Sequence, residues 1–222
     1  MRIFPLNENA LTVEFGDVIS PELNSRAIEL CRRIARDPFP GFIEAVPAYS
    51  TVTVFYDLTA VRSEHPGSAT AFERVRETIS SMIVKSDSVE ESPSRKVTIQ
   101  AKFGGDDGPD LVTAAALSGL APKEFISIFL EQEYRVYMLG FLPGFPYMGE
   151  VDERIAVPRL ASPRTCVPRG SVGIAGRQTG IYPLDSPGGW QLIGRTDLKM
   201  FEPKSDPPVL LQPGDLVTFR SV

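Results

Sequence analysis

The chain has 222 residues, of which 42% are hydrophobic and 23% are charged, a composition typical of a globular protein with a packed core. Its net charge of −5 predicts no nucleic-acid partner, and no apolar run approaches the roughly 18 residues that span a bilayer. The two cysteines, Cys31 and Cys166, indicate neither a disulfide framework nor a zinc site. With no secretory signal at the N-terminus, we expect a reduced, cytoplasmic protein with no membrane partner.

Residues 1–91 predict a small α+β domain. Two short strands are expected in "RIFPLN" and "ALTVEFG", and two more in "FIEAVPAYSTVTVFYD". A helix is expected to begin at Ser20, as its N-cap, with Pro21 at the first helical position. Five apolar residues then recur at helical spacing: Leu23, Ala27, Leu30, Cys31 and Ile34. A second amphipathic helix is predicted from Ala71 to Ile83.

The polar segment "KSDSVEESPSRK", residues 85–96, predicts a linker with a domain boundary near residue 92. The single histidine, His65, lies in "SEHPGS", which is typical of a solvated turn. A histidine in such a loop is poorly suited to a catalytic triad, so we do not expect His65 to be catalytic.

Residues 92–222 predict a second domain dominated by β-structure. The expected strands are "KVTIQAKF", "YRVYMLGF", "WQLIGRTDLKMF" and "DLVTFRSV", with "QPGD" as a turn before the last. Two short helices, one of them beginning at Pro122, follow the first strand. Short strands joined by Gly/Pro turns favour a closed or nearly closed β-barrel.

Three segments of this second domain carry side chains that could take part in binding or catalysis. In "FGGDDGPDL", the residues Asp106, Asp107 and Asp110 could hold Mg²⁺, although an acidic first turn of a helix explains them more simply. "SPRTCVPRGSVGIAGRQTGIYP", residues 162–183, combines glycines with arginines in a pattern suited to anion binding, or merely to barrel corners. Its Cys166 lies between two arginines that could lower the pKa of the thiol, yet we interpret it as incidental.

The third segment, "DSPGGWQLIGRT", begins at residue 185 and carries the only tryptophan, Trp190, into a predicted strand. A tryptophan at a barrel rim can stack on a planar ligand, and one that points inward fills the core. The sequence leaves both possibilities open.

Taken together, five segments identify a resemblance to a known family. They are "FGGDDGPDL", "EYRVYMLGFLPGFPYMG", "PRTCVPRGSVGIAGRQTGIYP", "SPGGWQLIGRT" and "LQPGDLVTF". The chain resembles the KipI family, also described as allophanate hydrolase subunit 1 and as the B-type subunit of the prokaryotic ATP-dependent 5-oxoprolinase. The resemblance implies an α+β N-terminal domain followed by a mostly-β, cyclophilin-like barrel domain.

The resemblance also implies an activity, partners and cofactors. Members act beside a larger C-type subunit (KipA, or allophanate hydrolase subunit 2) and an A-type subunit of the LamB/YcsF kind. The complex converts 5-oxoproline to glutamate with ATP hydrolysis, which requires ATP and Mg²⁺ at a site that the sequence does not locate. Two alternatives stay open: a KipI-like inhibitor of a histidine kinase, and a carboxyltransferase component of the allophanate hydrolase or urea carboxylase type.

We predict a ligand groove on the barrel, with the rigid loop "PGFP" as one aromatic wall, because Pro fixes φ and Gly permits a sharp bend. Gln178 and Arg195 are expected to orient polar or anionic groups, whereas any aromatic member could instead belong to the barrel core. The predicted groove residues are Arg135, Tyr137, Phe145, Tyr147, Arg164, Gln178, Thr179, Tyr182, Trp190 and Arg195.

Three positions depart from the family pattern. Phe129 stands where a histidine often precedes the "EYRVY" strand, so a proton-transfer role for that histidine would be absent here. Arg169 and Arg177 occupy positions where we expect a small and an uncharged residue. These departures could alter the ligand or be neutral.

Overall fold

The computed structural model describes residues 1–63, 70–84 and 94–222. Contacts within the chain divide it into two compact units, Met1–Pro93 and Ser94–Val222. His65 and most of the predicted linker, residues 85–93, lie outside the described residues. The domain boundary near residue 92 therefore stays a prediction.

The first unit is an antiparallel four-stranded sheet with helices against one face. The strands follow the order β1-β2-β4-β3, and each neighbouring pair is antiparallel. The elements, in chain order, are β1 (Arg2–Asn7), β2 (Ala10–Glu14), α1 (Pro21–Arg36), β3 (Phe42–Pro47), β4 (Thr51–Tyr56), α2 (Leu58–Ser63) and α3 (Ala71–Val84).

Local sequence signals account for most of this unit. Ser20 caps α1 as predicted, since its hydroxyl oxygen accepts a hydrogen bond from the Leu23 amide at 3.1 Å. Ala27, Leu30 and Ile34 are buried in the core formed with β2, β4 and α3, whereas Leu23 and Cys31 are half-buried at its edge. The short helix α2 was not predicted from the sequence.

The second unit is a closed β-barrel, as the sequence predicted. Its elements are β5 (Lys96–Phe103), α4 (Leu111–Leu117), α5 (Pro122–Glu131), β6 (Tyr134–Leu139), β7 (Pro146–Gly149), a 3₁₀ turn (Glu153–Ile155), β8 (Arg164–Val167), β9 (Ser171–Ala175), β10 (Gln178–Ile181), β11 (Ser186–Gly188), β12 (Gln191–Arg195) and β13 (Leu216–Ser221). Seven strands close the barrel in the order β10-β7-β6-β13-β5-β12-β9, and β8 pairs with β11 outside it. This closed barrel with two helices fits the cyclophilin-like expectation.

The barrel interior is filled by branched and aromatic side chains that pack against α4 and α5. Phe129 on α5 is fully buried there, with its ring centroid 4.9 Å from those of Tyr134 and Phe219. The Tyr134 hydroxyl donates to the Phe129 carbonyl at 2.9 Å. A phenylalanine at this position therefore serves packing and transfers no proton.

No single helix among residues 1–63, 70–84 and 94–222 is long and apolar enough to cross a membrane. Helices α4 and α5 meet the length and composition criteria only as a pair, and they are bent by 88° at the break between them.

Candidate functional site

An aromatic cluster lies on the outer wall of the barrel. Along β12, Ile193 belongs to the interior core, whereas its neighbour Leu192 belongs to this outer cluster, as strand alternation requires. The buried members of the cluster are Phe145, Val167, Ala175, Tyr182, Trp190 and Leu192. Phe145 is central, because its ring centroid lies 4.9 Å from that of Tyr147, 5.2 Å from that of Tyr182 and 5.4 Å from that of Trp190.

The segment that delivers Phe145 is the tight loop between β6 and β7. The Gly140 amide donates to the Phe145 carbonyl at 3.1 Å, and the Phe145 amide donates to the Leu142 carbonyl at 3.0 Å. Gly144 has a φ of 80°, which a glycine adopts without strain. The loop is therefore closed by its own backbone hydrogen bonds.

Phe141, in the same loop, is a conformational outlier. It is the one non-glycine residue with positive φ (64°) among the residues described, and 60% of its surface is exposed. Its ring makes edge contacts with Phe145 and Tyr182, at centroid distances of 5.6 Å and 6.5 Å. A strained backbone that holds an aromatic ring in solvent is a feature more often found at binding sites than in pure scaffolding.

The structure brings four predicted groove residues together in this cluster. Phe145, Tyr182 and Trp190 are at most 5% exposed, so they form the floor of the outer surface rather than an open wall. Tyr147 is half-buried and packs against the same cluster. The alternative of core packing thus describes the first three better than direct ligand contact does.

Arg135, Tyr137 and Gln178 lie on the strands beside the cluster. Gln178 is half-buried and faces Ala175, a cluster member, across the β9–β10 pair. Arg135 is opposite Gly149 in the β6–β7 pair, and the Tyr137 ring packs close to that same glycine. Gln178 borders the cluster, whereas Arg135 lies at the end of β6 that is far from Phe145. All three residues take part in further side-chain interactions of their own.

The Thr179 side chain points into the barrel interior and not toward the outer cluster. It pairs with Met148 and Ile174, both members of the interior core, and none of its surface is exposed. Its hydroxyl donates to the Gly173 carbonyl at 3.0 Å. Thr179 therefore supports the barrel from within and does not line the outer face.

Arg164 and Arg195 are each bound to an aspartate of "FGGDDGPDL". Arg164 Nη2 lies 2.5 Å from Asp110 Oδ1, and Arg195 Nη2 lies 2.7 Å from Asp107 Oδ1. The two pairs tie the loop after β5 to β8 and to the end of β12. Asp107 and Asp110 thus serve to hold these segments together. The sequence had suggested a Mg²⁺ site or an acidic first turn of a helix instead, and Asp110 makes no side-chain cap to α4.

These ion pairs also decide whether the aspartates could bind Mg²⁺. Asp107 and Asp110 are occupied by guanidinium groups, and the described part of the chain holds no group of three or more His, Cys, Asp or Glu side chains suited to a metal ion. The "FGGDDGPDL" residues therefore do not fit a Mg²⁺ site as they stand.

Arg195 lines a different surface from Trp190, because the two residues lie at opposite ends of β12. It borders a cleft of about 420 Å³ together with Arg169, Thr196, Lys199 and Glu202. Lys199 and Glu202 are themselves paired at 2.7 Å. The ten predicted residues therefore do not surround one pocket. We call the surface formed by the predicted residues near Trp190, namely Phe145, Tyr147, Gln178, Tyr182 and Trp190 itself, the aromatic face.

At the Trp190 end of β12, a residue that the sequence did not single out joins the cluster. The exposed guanidinium of Arg159 lies 5.8 Å from the centroid of the Trp190 ring. Burial raises the pKa of the neighbouring Tyr182, while the positive charges of Arg159 and Arg164 oppose that rise. Because residues 159 and 190 are distant in sequence, no local pattern could have indicated this contact.

Two other sequence expectations concern surface residues. Cys166 is exposed on β8, and its neighbour Arg164 is engaged with Asp110. Arg177 forms ion pairs with Glu150 and, at 2.8 Å, with Glu153. Arg177 therefore crosslinks the segment after β7, a local role that accounts for its charge.

The structure consists of two compact units, the second of which is a closed β-barrel with a buried aromatic cluster on its outer wall. A family model described as "Carboxyltransferase domain, subdomain C and D" matches residues 1–211. The chain belongs to this family.

Relatives and a solved structure agree with that assignment. The chain is 45% identical to the 5-oxoprolinase B-type subunit of Bacillus subtilis (strain 168), over 98% of this chain and 91% of that protein. It is 39% identical to the protein of the same name from Escherichia coli O157:H7, over 98% and 94%. The crystal structure of TTHA0988 superposes with a TM-score of 0.82 at 35% identity, covering 96% of this chain. The chain spans only 40% of TTHA0988.

Proposed function

We propose that this chain is the B-type subunit of an ATP-dependent 5-oxoprolinase, a complex that converts 5-oxoproline to glutamate. The observation that carries the proposal is the 45% identity to a B. subtilis protein of that name along nearly the whole of both chains. Identity at this level over both units, rather than over the barrel alone, supports a shared role and a shared set of partners.

The chain acts as one part of a composite site. Opening an unactivated lactam is difficult, and phosphorylation of its oxygen by ATP provides a better electrophile. ATP chemistry requires Mg²⁺ and cationic groups around the phosphates. Because Asp107 and Asp110 are engaged with arginines, we assign the ATP and Mg²⁺ ligands mainly to a partner, the C-type subunit of the KipA kind. An A-type subunit of the LamB/YcsF kind completes the proposed cytoplasmic complex.

The contribution of this chain is the aromatic face. Phe145, Tyr182 and Trp190 form a rigid buried floor, and half-buried Tyr147 and Gln178 lie at its surface. Such a surface can position a small planar lactam without reorganising its own side chains.

Reconstitution tests the proposal. The chain is purified alone and together with its KipA-type and LamB/YcsF-type partners, and 5-oxoproline-dependent ATP hydrolysis and glutamate release are measured. We expect activity only in the combined sample. A combined sample that assembles but does not turn over 5-oxoproline would contradict the proposal.

A Gln178→Ala variant then tests whether the aromatic face contributes to turnover. Gln178 is half-buried, so its removal should leave the barrel folded and lower turnover of the complex. Trp190→Ala is a poorer test than Gln178→Ala, because removing a ring that is only 5% exposed would disrupt the cluster itself.

The family description favours a second candidate, a carboxyltransferase component. That activity would require a biotin carrier and a carboxylase from other chains, and it would appear as transfer of CO₂ from carboxybiotin to urea. If the reconstituted sample shows this transfer and no 5-oxoproline-dependent ATP hydrolysis, the second candidate replaces the first. Inhibition of a histidine kinase stays a prediction from the sequence resemblance.

A further inference from the structure

Two guanidinium groups converge on the aromatic cluster at the start of β12. Arg159 lies over Trp190, and Arg164, on β8, is opposite Gly188 in the β8–β11 pair. A β-carbon at Gly188 would overlap the Tyr182 hydroxyl oxygen, so this glycine is close to Tyr182. We propose that Arg159 and Arg164 form the carboxylate-binding part of the substrate site. The identity of that substrate, 5-oxoproline, rests on the proposed function.

One of the two terminal nitrogens of the Arg164 guanidinium lacks a hydrogen-bond acceptor. Its Nη2 binds Asp110 at 2.5 Å, while its Nη1 is buried and has no hydrogen-bond partner. Buried guanidinium N–H groups are almost always satisfied, because leaving one without an acceptor is costly. A carboxylate oxygen of a bound ligand would provide the missing acceptor, and a side-chain movement that opens the buried Nη1 atom to the ligand is part of the proposal.

Arg159 supplies an accessible positive charge. It is exposed, and none of the ion pairs formed among the described residues includes it. Its contact with the Trp190 ring holds the guanidinium in place while leaving its N–H donors available. Arg159 therefore offers donors to an anion that approaches from solvent.

The electrostatics of Tyr182 agree with the positions of the two arginines. Burial raises the pKa of Tyr182, a hydrogen bond with the Trp190 backbone lowers it, and the charges of Arg159 and Arg164 lower it further. Because Asp110 neutralises much of the charge of Arg164, the positive potential at this hydroxyl comes mainly from Arg159. Arginine is the side chain whose fork best matches a carboxylate.

Steady-state kinetics of the reconstituted complex provide the first test. We expect Arg159→Gln to raise KM for 5-oxoproline roughly 10- to 100-fold, as for loss of a charge-assisted hydrogen bond, with kcat nearly unchanged. Arg159→Lys should recover part of the loss. The matched control is Arg154→Gln, because Arg154 is also an exposed arginine but is paired with Asp152 at 2.9 Å. An unchanged KM in Arg159→Gln would overturn the proposal.

A binding measurement provides a second readout that does not depend on turnover. Trp190 is the only tryptophan of the chain, so labelling this chain with 5-fluorotryptophan gives a single ¹⁹F resonance beside Arg159, even in complex with unlabelled partners. The complex is titrated separately with 5-oxoproline, with 2-pyrrolidinone, which has the same ring but no carboxylate, and with ATP.

We expect 5-oxoproline to shift the resonance and 2-pyrrolidinone to require at least about tenfold higher concentration. Arg159→Gln should remove this difference between the two ligands. A response to ATP alone would identify a phosphate site and overturn the proposal, as would no response to 5-oxoproline. If the complex lacks 5-oxoprolinase activity, the proposed function fails, and the titration still decides whether these arginines bind a carboxylate.

Discussion

The carboxylate of Asp110 and the guanidinium of Arg164 form a hydrogen-bonded ion pair at 2.5 Å. The second oxygen of Asp110 accepts a hydrogen bond from the Leu192 amide at 2.7 Å, and the Asp110 amide donates to the Leu192 carbonyl at 2.9 Å. One aspartate thereby joins the beginning of α4 to β8 and to β12. Since Leu192 belongs to the aromatic cluster, this connection fixes the frame on which the cluster is built.

The first prediction is that Asp110→Asn destabilises the protein by about 2–4 kcal/mol, because it leaves the partly buried Arg164 without its counter-charge. Asp106→Asn, at an exposed neighbouring position, should change stability by no more than about 0.5 kcal/mol. Urea unfolding of the two variants measures the difference. Equal stabilities would show that the Asp110 carboxylate does not carry the connection.

Much of the fold could be predicted because its signals are local. Ser20 followed by Pro21 marks the beginning of α1, and the run "TVTVFYD" marks β4. The Gly/Pro turns between short strands predicted the barrel. Each of these signals depends on residues that are neighbours in the sequence.

The candidate site was harder to predict because its contacts are non-local. The pairing of Asp110 with Arg164 and the position of Arg159 over Trp190 join segments that the sequence does not relate. One error was avoidable: Gln178 and Thr179 are adjacent on a strand, so they point to opposite faces and could not both line one groove.

The second prediction concerns the close packing of Gly180 against Phe145. A β-carbon at residue 180 would lie 2.8 Å from Phe145 Cζ and 2.8 Å from the Pro146 carbonyl oxygen. Gly180→Ala should therefore force the cluster apart and destabilise the protein by about 1–3 kcal/mol. Gly189→Ala is the control, since its β-carbon would meet Pro163 at an ordinary 3.5 Å. Near-UV circular dichroism of Trp190 and thermal unfolding would reveal the difference, and identical behaviour would refute the packing argument.

The third prediction separates backbone strain from ring contacts at Phe141. Its φ of 64° is unfavourable for any residue with a β-carbon and acceptable for glycine. Phe141→Gly and Phe141→Ala both remove a ring that is 60% exposed, but only glycine relieves the strain. The glycine variant should be more stable than the alanine variant by about 1 kcal/mol in urea unfolding. The reverse order would mean that the loop is not strained at this position.

The fourth prediction distinguishes the two thiols by their reactivity. Burial raises the pKa of Cys31 from 9.0 to about 12, so at pH 8 only roughly one molecule in ten thousand carries the thiolate there. Cys166 is exposed. A native sample treated with a chromogenic disulfide reagent should therefore show one fast-reacting thiol, which Cys166→Ser removes.

The slow reaction of Cys31 should accelerate about tenfold for each pH unit between 8 and 10, because the thiolate fraction rises with pH until it approaches the raised pKa. Unfolding in urea should abolish the difference between the two thiols. If Cys31 in the native protein reacts as fast as Cys166, packing of α1 against the core does not shield the Cys31 thiol. If Cys166→Ser also leaves turnover of the reconstituted complex unchanged, Cys166 is an incidental surface thiol rather than a nucleophile.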